Sequence, residues 1–199
     1  MAEIKEKNMR IAVTGGIGSG KSEVMAILKE FTPNVLSADA VNAALLTDGE
    51  YLIRLKSEFP EGFSNGLLDK KSLSVLIFSD PKKRERLNAI AHPLIMKRIF
   101  QAANEMSGHV FIEVPLLTES VGRTDFDRVW LVRAATENRI KRLKSTRNMT
   151  DAEILSVLKV QASDDRRESL ADEIIDNDGG IETLRERVVR LFGKLKVEN

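Results

Sequence analysis

The chain has 199 residues, 42% hydrophobic and 31% charged, the composition of a folded globular protein rather than a disordered one. With no cysteine and two histidines, His92 and His109, it excludes disulfides, thiolate metal sites, iron–sulfur ligation and a cysteine nucleophile. Thirty-one Lys and Arg stand against 30 Asp and Glu, a net charge of +1, so no global basic excess points to nucleic acid and any anion binding has to be local.

The first eight residues are largely polar and are expected to fray, with no apolar run behind them of the kind a signal peptide has. No uncharged run is long enough to span a bilayer, so no membrane partner and a cytoplasmic location are expected. Arg10–Thr14 (RIAVT) is an apolar run ending in glycines and predicts a buried strand. Lys21–Phe31 places Val24, Ile27, Leu28 and Phe31 on one helical face. Asn34–Ser37, Val110–Val114, Arg128–Val132 and, more weakly, Glu173–Asp176 predict further strands, with helical patterns between most of them. Ile181, Leu184, Val188, Leu191 and Leu195 form an apolar stripe for the last helix. Strands alternating with helices predict an α/β fold, a parallel sheet covered on both faces.

Two stretches break this rhythm. Gly49 to Met106 carries helix signals and little strand, and reads as an inserted lobe between residues 9–48 and 107–199 of the core. Within it, Asn65-Gly66 is a turn, Asp69 caps a helix through Leu73, Leu76 and Ile77, Pro81 opens another helix and Pro93 a third. The second departure, residues 136–171, contains a capping box at Thr150 and Glu153. Before that box, Arg139–Arg147 holds five basic residues in nine and no acid.

Gly15–Ser22 (GGIGSGKS) fits G-x-x-x-x-G-K-[ST], a phosphate-binding loop set between a strand and a helix. The glycines let successive backbone N–H groups converge on one anion, and the next helix adds its positive end. Gly16, Ile17, Gly18, Ser19, Gly20, Lys21 and Ser22 are therefore nucleotide-binding candidates. Lys21 would reach the β- and γ-phosphates, and the Ser22 hydroxyl would ligate Mg²⁺. GTPase N-K-x-D and transporter L-S-G-G-Q motifs are absent. The small size favours a phosphotransferase, which also needs an acceptor pocket, a hydroxyl-orienting group and mobile cations.

Asp39 follows the second strand, where it could orient a hydroxyl, help hold Mg²⁺, or cap the helix starting at Ala40. Glu113, late in an apolar strand, suits a metal-holding carboxylate or a charge at a strand end. Arg139, Arg142 and Arg147 could present planar donors to phosphate or line a solvated helix face. His92 reads most plainly as a histidine at a helix boundary before Pro93, and Trp130 as core.

Taken together, these residues resemble the dephospho-CoA kinase family over about Met9 to Leu191. The resemblance lies in Thr14–Ser22, in Ser37-Ala38-Asp39, in Leu68-Asp69-Lys70 through Leu73, and in Leu87-Asn88, Ile90, His92-Pro93 and Ile95. It continues in Glu113 through Pro115-Leu116-Leu117 to Glu119, Arg142-Leu143 with Arg147, Gln161 with Arg167, and Ala171-Asp172 through Ile175-Asp176-Asn177 to Gly179. Three positions depart from the family pattern: Ser37 replaces an aspartate, Glu113 an aspartate and Lys70 an arginine.

The resemblance implies a five-stranded parallel sheet with a helical acceptor-binding lobe (49–106) and a lid (136–171). It implies transfer of the ATP γ-phosphoryl group to the 3′-hydroxyl of the dephospho-CoA ribose, with Mg²⁺. Independently of it, a monomer that binds no nucleic acid is expected. The resemblance makes Asp39 the base or orienting group and Arg142 and Arg147 lid cations. Asn177 and Gly179 become candidates for the adenine pocket, Lys70 and His92 for the acceptor, and Ser22 and Glu113 for the metal. A kinase of another small acceptor, and a nucleotide-binding protein without turnover, are the alternatives.

Overall fold

The structure is a computed structural model, which describes residues 8–115, 117, 122–160 and 164–195. Leu116, Glu119 and Gln161, named in the family resemblance, lie outside the described residues. The elements run β1 (Arg10–Thr14), α1 (Lys21–Lys29), β2 (Val35–Ser37), α2 (Ala38–Leu45), α3 (Gly49–Glu58), β3 (Phe63–Ser64), β4 (Leu67–Leu68), α4 (Lys70–Ser79) and α5 (Pro81–Glu105). They continue with β5 (Val110–Glu113), β6 (Arg128–Arg133), α6 (Thr136–Arg147), α7 (Asp151–Val160), α8 (Asp164–Glu168), β7 (Glu173–Asp176) and α9 (Ile181–Leu195).

The main sheet has the order β2-β5-β1-β6-β7. β1 sits at its centre, parallel to β5 on one side and β6 on the other, with Val13 opposite Glu113 and Trp130. β7 runs parallel to β6. Flanked on both sides, β1 is apolar throughout its interior: Ile11, Ala12 and Val13 are fully buried. Helices α1 and α9 pack on this core through Val24, Met25, Ile27 and Leu28 and through Leu184, Val188, Leu191 and Leu195. Trp130 is core as expected, its ring tilted against that of Phe111 at 5.3 Å between centroids. Ile181 departs from the expected stripe: as the first residue of α9 it stays 57% exposed, before the helix reaches the sheet. Phe31 lies beyond the end of α1 and rests partly exposed against Phe192.

The chain divides into two compact units, Ser37–Ala102 and the remainder. The division assigns α2 to the helical unit, whereas the sequence pattern begins the lobe at Gly49. The reason lies in Leu45 at the end of α2: it is buried, and with Tyr51 of α3 and Leu94 of α5 it bounds a cavity of about 190 Å³.

Within this unit Asn65 and Gly66 both take positive φ, 50° and 81°, and join β3 to β4 as a tight hairpin. The Asp69 carboxylate accepts from the N–H groups of Lys71 and Ser72 and caps α4. These bonds and the Ser72 hydroxyl, its strongest partner, hold the carboxyl below its ordinary range.

Pro93 opens no new helix. Helix α5 runs unbroken through it for 25 residues. A proline inside a helix costs about 3 kcal/mol or more through its missing N–H and its clash with the preceding turn. Ala91, Ile95 and Ile99, spaced four apart across Pro93, are all buried. Burying each isoleucine is worth about 1.5–3 kcal/mol, enough to keep the helix continuous. No helix among the described residues is long and apolar enough to cross a membrane.

Candidate active site

The anion cradle forms where β1 gives way to α1. A Cβ on Gly15 would stand 2.3 Å from the Val132 carbonyl oxygen, so only glycine lets the loop leave the sheet beside β6. Gly18 and Gly20 take φ of 74° and 98°, conformations that suit glycine. Around them the Ser19 N–H closes onto the Gly16 carbonyl at 3.2 Å. Gly20 is also the N-cap of α1 and offers no side-chain cap. The first N–H groups of the helix have no intrahelical acceptor, so they are available to an anion, as is the positive end of the helix dipole. The Lys21 ammonium lies over this loop, 2.8 Å from the Gly15 carbonyl and 3.1 Å from that of Gly16. Ser22 is exposed in the first turn.

The outer side of the loop is held by residues far away in sequence. Arg139 of α6 is buried, and its Nε donates to the Ile17 carbonyl at 2.8 Å. Arg142, one turn on, donates to the Asn177 carbonyl at 2.5 Å and reaches the Gly18 and Ser19 carbonyls at 3.4 Å. The buried Asn177 side chain donates to the Ser19 carbonyl at 2.8 Å. Its backbone is fixed by an N–H bond to the Arg133 carbonyl. The Asp178 carboxylate accepts from Asn138 and from the Ala135 N–H, tying the start of α6 to the loop after β7. The Asn138 bond and then the Ala135 bond, aided by Arg142 and Arg133, keep the Asp178 carboxyl below its usual range. Arg133 bridges Glu168 and Asp176, which raises its already high pKa.

The structure therefore gives different surroundings to residues that the sequence grouped together. Arg139 and Arg142 do converge, but on the peptide carbonyls of the phosphate loop. Arg147, at the end of α6, is exposed. Asn177 turns its amide to the same loop, while Gly179 lies in the exposed turn before α9, with Thr183 beside it. Asp39 is not the cap of α2: Ser37 takes that position, its hydroxyl accepting from the Ala40 N–H, and Asp39 sits exposed in the first turn. Glu113 ends β5, half-buried, in register with Val13 of β1 just ahead of the loop. Lys70 is the exposed first residue of α4, and His92 is half-buried inside α5 rather than at a boundary. The supporting parts played by Asp178 and Arg133 were not legible in the sequence; one signal was the polar triplet Asp176-Asn177-Asp178 in a segment already marked by its motif.

The dephospho-CoA kinase family model matches residues 9–183. The chain belongs to the dephospho-CoA kinase family. Within that family, a dephospho-CoA kinase of Thermus thermophilus is 31% identical over 93% of this chain and 91% of its own length. One from Thermobifida fusca is 33% identical over 94% of this chain and 96% of its own. The crystal structure of TT1252 from Thermus thermophilus superposes with a TM-score of 0.83 at 31% identity, covering 94% of this chain and 98% of that one. The family's α/β kinase fold is the one seen here, with the phosphate loop at the end of the central strand of a five-stranded sheet.

Proposed function

We propose that this protein transfers the γ-phosphoryl group of ATP to the 3′-hydroxyl of the ribose of dephospho-CoA, giving coenzyme A and ADP. The observation that carries this reading is the glycine cradle that opens onto the uncapped start of α1, in a chain matched by the family model over residues 9–183. In this reading the loop amides and the Lys21 ammonium bind the β- and γ-phosphates. Asp39, directly after β2, orients the acceptor hydroxyl. Its carboxylate takes the hydroxyl proton as the new P–O bond forms and the bond to the ADP oxygen breaks. Arg147 supplies a cation for the equatorial oxygens in the transition state, from a lid spanning residues 136–171. The helical stretch 49–106 receives the acceptor, with Lys70 and His92 as candidate contacts, and the loop at Asn177 and Gly179 lies at the adenine end.

Mg²⁺ fits the donor set. The Ser22 hydroxyl and the Glu113 carboxylate are hard oxygen donors, and Mg²⁺ commonly uses one or two protein oxygens together with phosphate oxygens and water. Among the described residues no group of three or more His, Cys, Asp or Glu is placed to hold a metal ion. Bound there, Mg²⁺ would neutralise charge on the phosphates. The deciding experiment is ADP release by the purified chain with ATP, Mg²⁺ and dephospho-CoA, run beside adenosine and AMP, with the product identified by mass. Release driven by adenosine or AMP but not by dephospho-CoA would overturn the assignment.

A further inference from the structure

We infer that Arg139 is a positioning residue that aims the phosphate loop: it holds the Ile17 carbonyl outward so that the N–H of the same peptide turns into the cradle. The inference rests on the reading of Gly15–Ser22 as a nucleotide site. In a planar trans peptide the carbonyl of residue i and the N–H of residue i+1 point in opposite directions. A donor fixed on the Ile17 oxygen thus sets the direction of the Gly18 N–H. The Arg139 Nε makes that bond at 2.8 Å from a side chain that is only 5% exposed. The neighbouring peptides are held in the same way, the Ser19 carbonyl by Asn177 at 2.8 Å and those of Gly18 and Ser19 more loosely by Arg142. The Ser19 N–H is used within the loop, on the Gly16 carbonyl. Gly18 and Gly20 are therefore the amides that these outer bonds aim inward. A cationic donor on a carbonyl also draws electron density from its peptide and makes the N–H a better donor.

Arg139 also explains Gly16. A Cβ added there would lie 2.3 Å from the Arg139 Nη2 and 2.7 Å from its Cζ, so the guanidinium fills the space a side chain would need. No positive φ forces glycine at this position. The requirement comes from Arg139, and the two residues should therefore be energetically coupled.

The test uses the full chain, with ATP and ADP affinities measured by calorimetry, where no acceptor is needed, and with KM values for both substrates. Arg139→Met keeps the stem and loses the donor; it should weaken ATP binding roughly 10- to 100-fold, the worth of a charge-assisted hydrogen bond, with the KM for dephospho-CoA little changed. Arg139→Lys keeps a cationic donor and should recover most of that affinity. Met and Lys variants that bind equally well would show that only the stem matters, and would overturn the inference. Gly16→Ala should weaken ATP binding strongly in the wild type and much less in an Arg139→Ala background. An equal penalty in both would also overturn it. If nucleotide binds as expected but dephospho-CoA is not phosphorylated, the functional assignment fails while the role of Arg139 stands.

Discussion

Gly20→Ala tests the cradle most directly, because two separate costs meet at one methyl group. Gly20 has φ of 98°, and an L-residue in the left-handed region gives up about 1–2 kcal/mol. The new Cβ would also stand 2.0 Å from Asn177 Nδ2, so the amide has to swing away from the Ser19 carbonyl that it holds at 2.8 Å. Losing that bond and leaving buried groups unpaired costs about 1–3 kcal/mol more. The sum, about 2–5 kcal/mol, corresponds to a loss of roughly 30- to 4,000-fold in ATP affinity if it falls on the nucleotide-competent conformation. The assay is calorimetric titration with ATP, backed by a thermal melt to show that the variant is folded. Gly193→Ala is the control: Gly193 lies in α9 with nothing within 4 Å of its added Cβ, so the change should leave ATP binding alone and raise Tm slightly. Asn177→Ala alone gives up the same bond without the φ cost, and should weaken ATP binding less than Gly20→Ala does. A folded Gly20→Ala protein that binds ATP within about threefold of wild type would refute the reasoning, since even the lower bound of the φ cost alone exceeds that factor.

Asp39→Asn should fold and bind ATP normally yet turn over about 10²- to 10⁴-fold more slowly, as expected for a lost proton acceptor; near-normal kcat would remove Asp39 from the mechanism. Arg147→Ala should lower kcat by more than it weakens ATP binding, and an effect confined to ATP affinity would make Arg147 a binding residue alone. Asp178 adds a pH dependence. Its folded pKa is depressed, so the stability it contributes is complete above its unfolded value of about 4 and is lost as pH falls through the folded value. The Tm difference between wild type and Asp178→Asn should therefore be largest near neutral pH and shrink in acid. A gap unchanged between about pH 7 and pH 3 would show that the carboxylate charge plays no part.

Local sequence was enough to read the strand–loop–helix at Gly15–Ser22, the alternation of strands and helices, the capping by Asp69 and the Thr150–Glu153 box. Each depends on neighbours in the chain: a glycine conformation, a helix period, a side chain three residues from the amide it caps. Sequence periodicity also carried most of the core, including Trp130 and the α9 stripe from Leu184 onward. What lay beyond its reach was decided by contacts between residues distant along the chain. The charge run Arg139–Arg147 looks uniform in sequence, yet Arg139 is buried against Ile17 while Arg147 is exposed. Pro93 reads as a helix start because local rules count only its missing N–H; burial of Ile95 and Ile99 in the assembled unit outweighs that loss. Asn177 meets Ser19 across 158 positions, since parallel β1, β6 and β7 bring their ends together only once the sheet has formed.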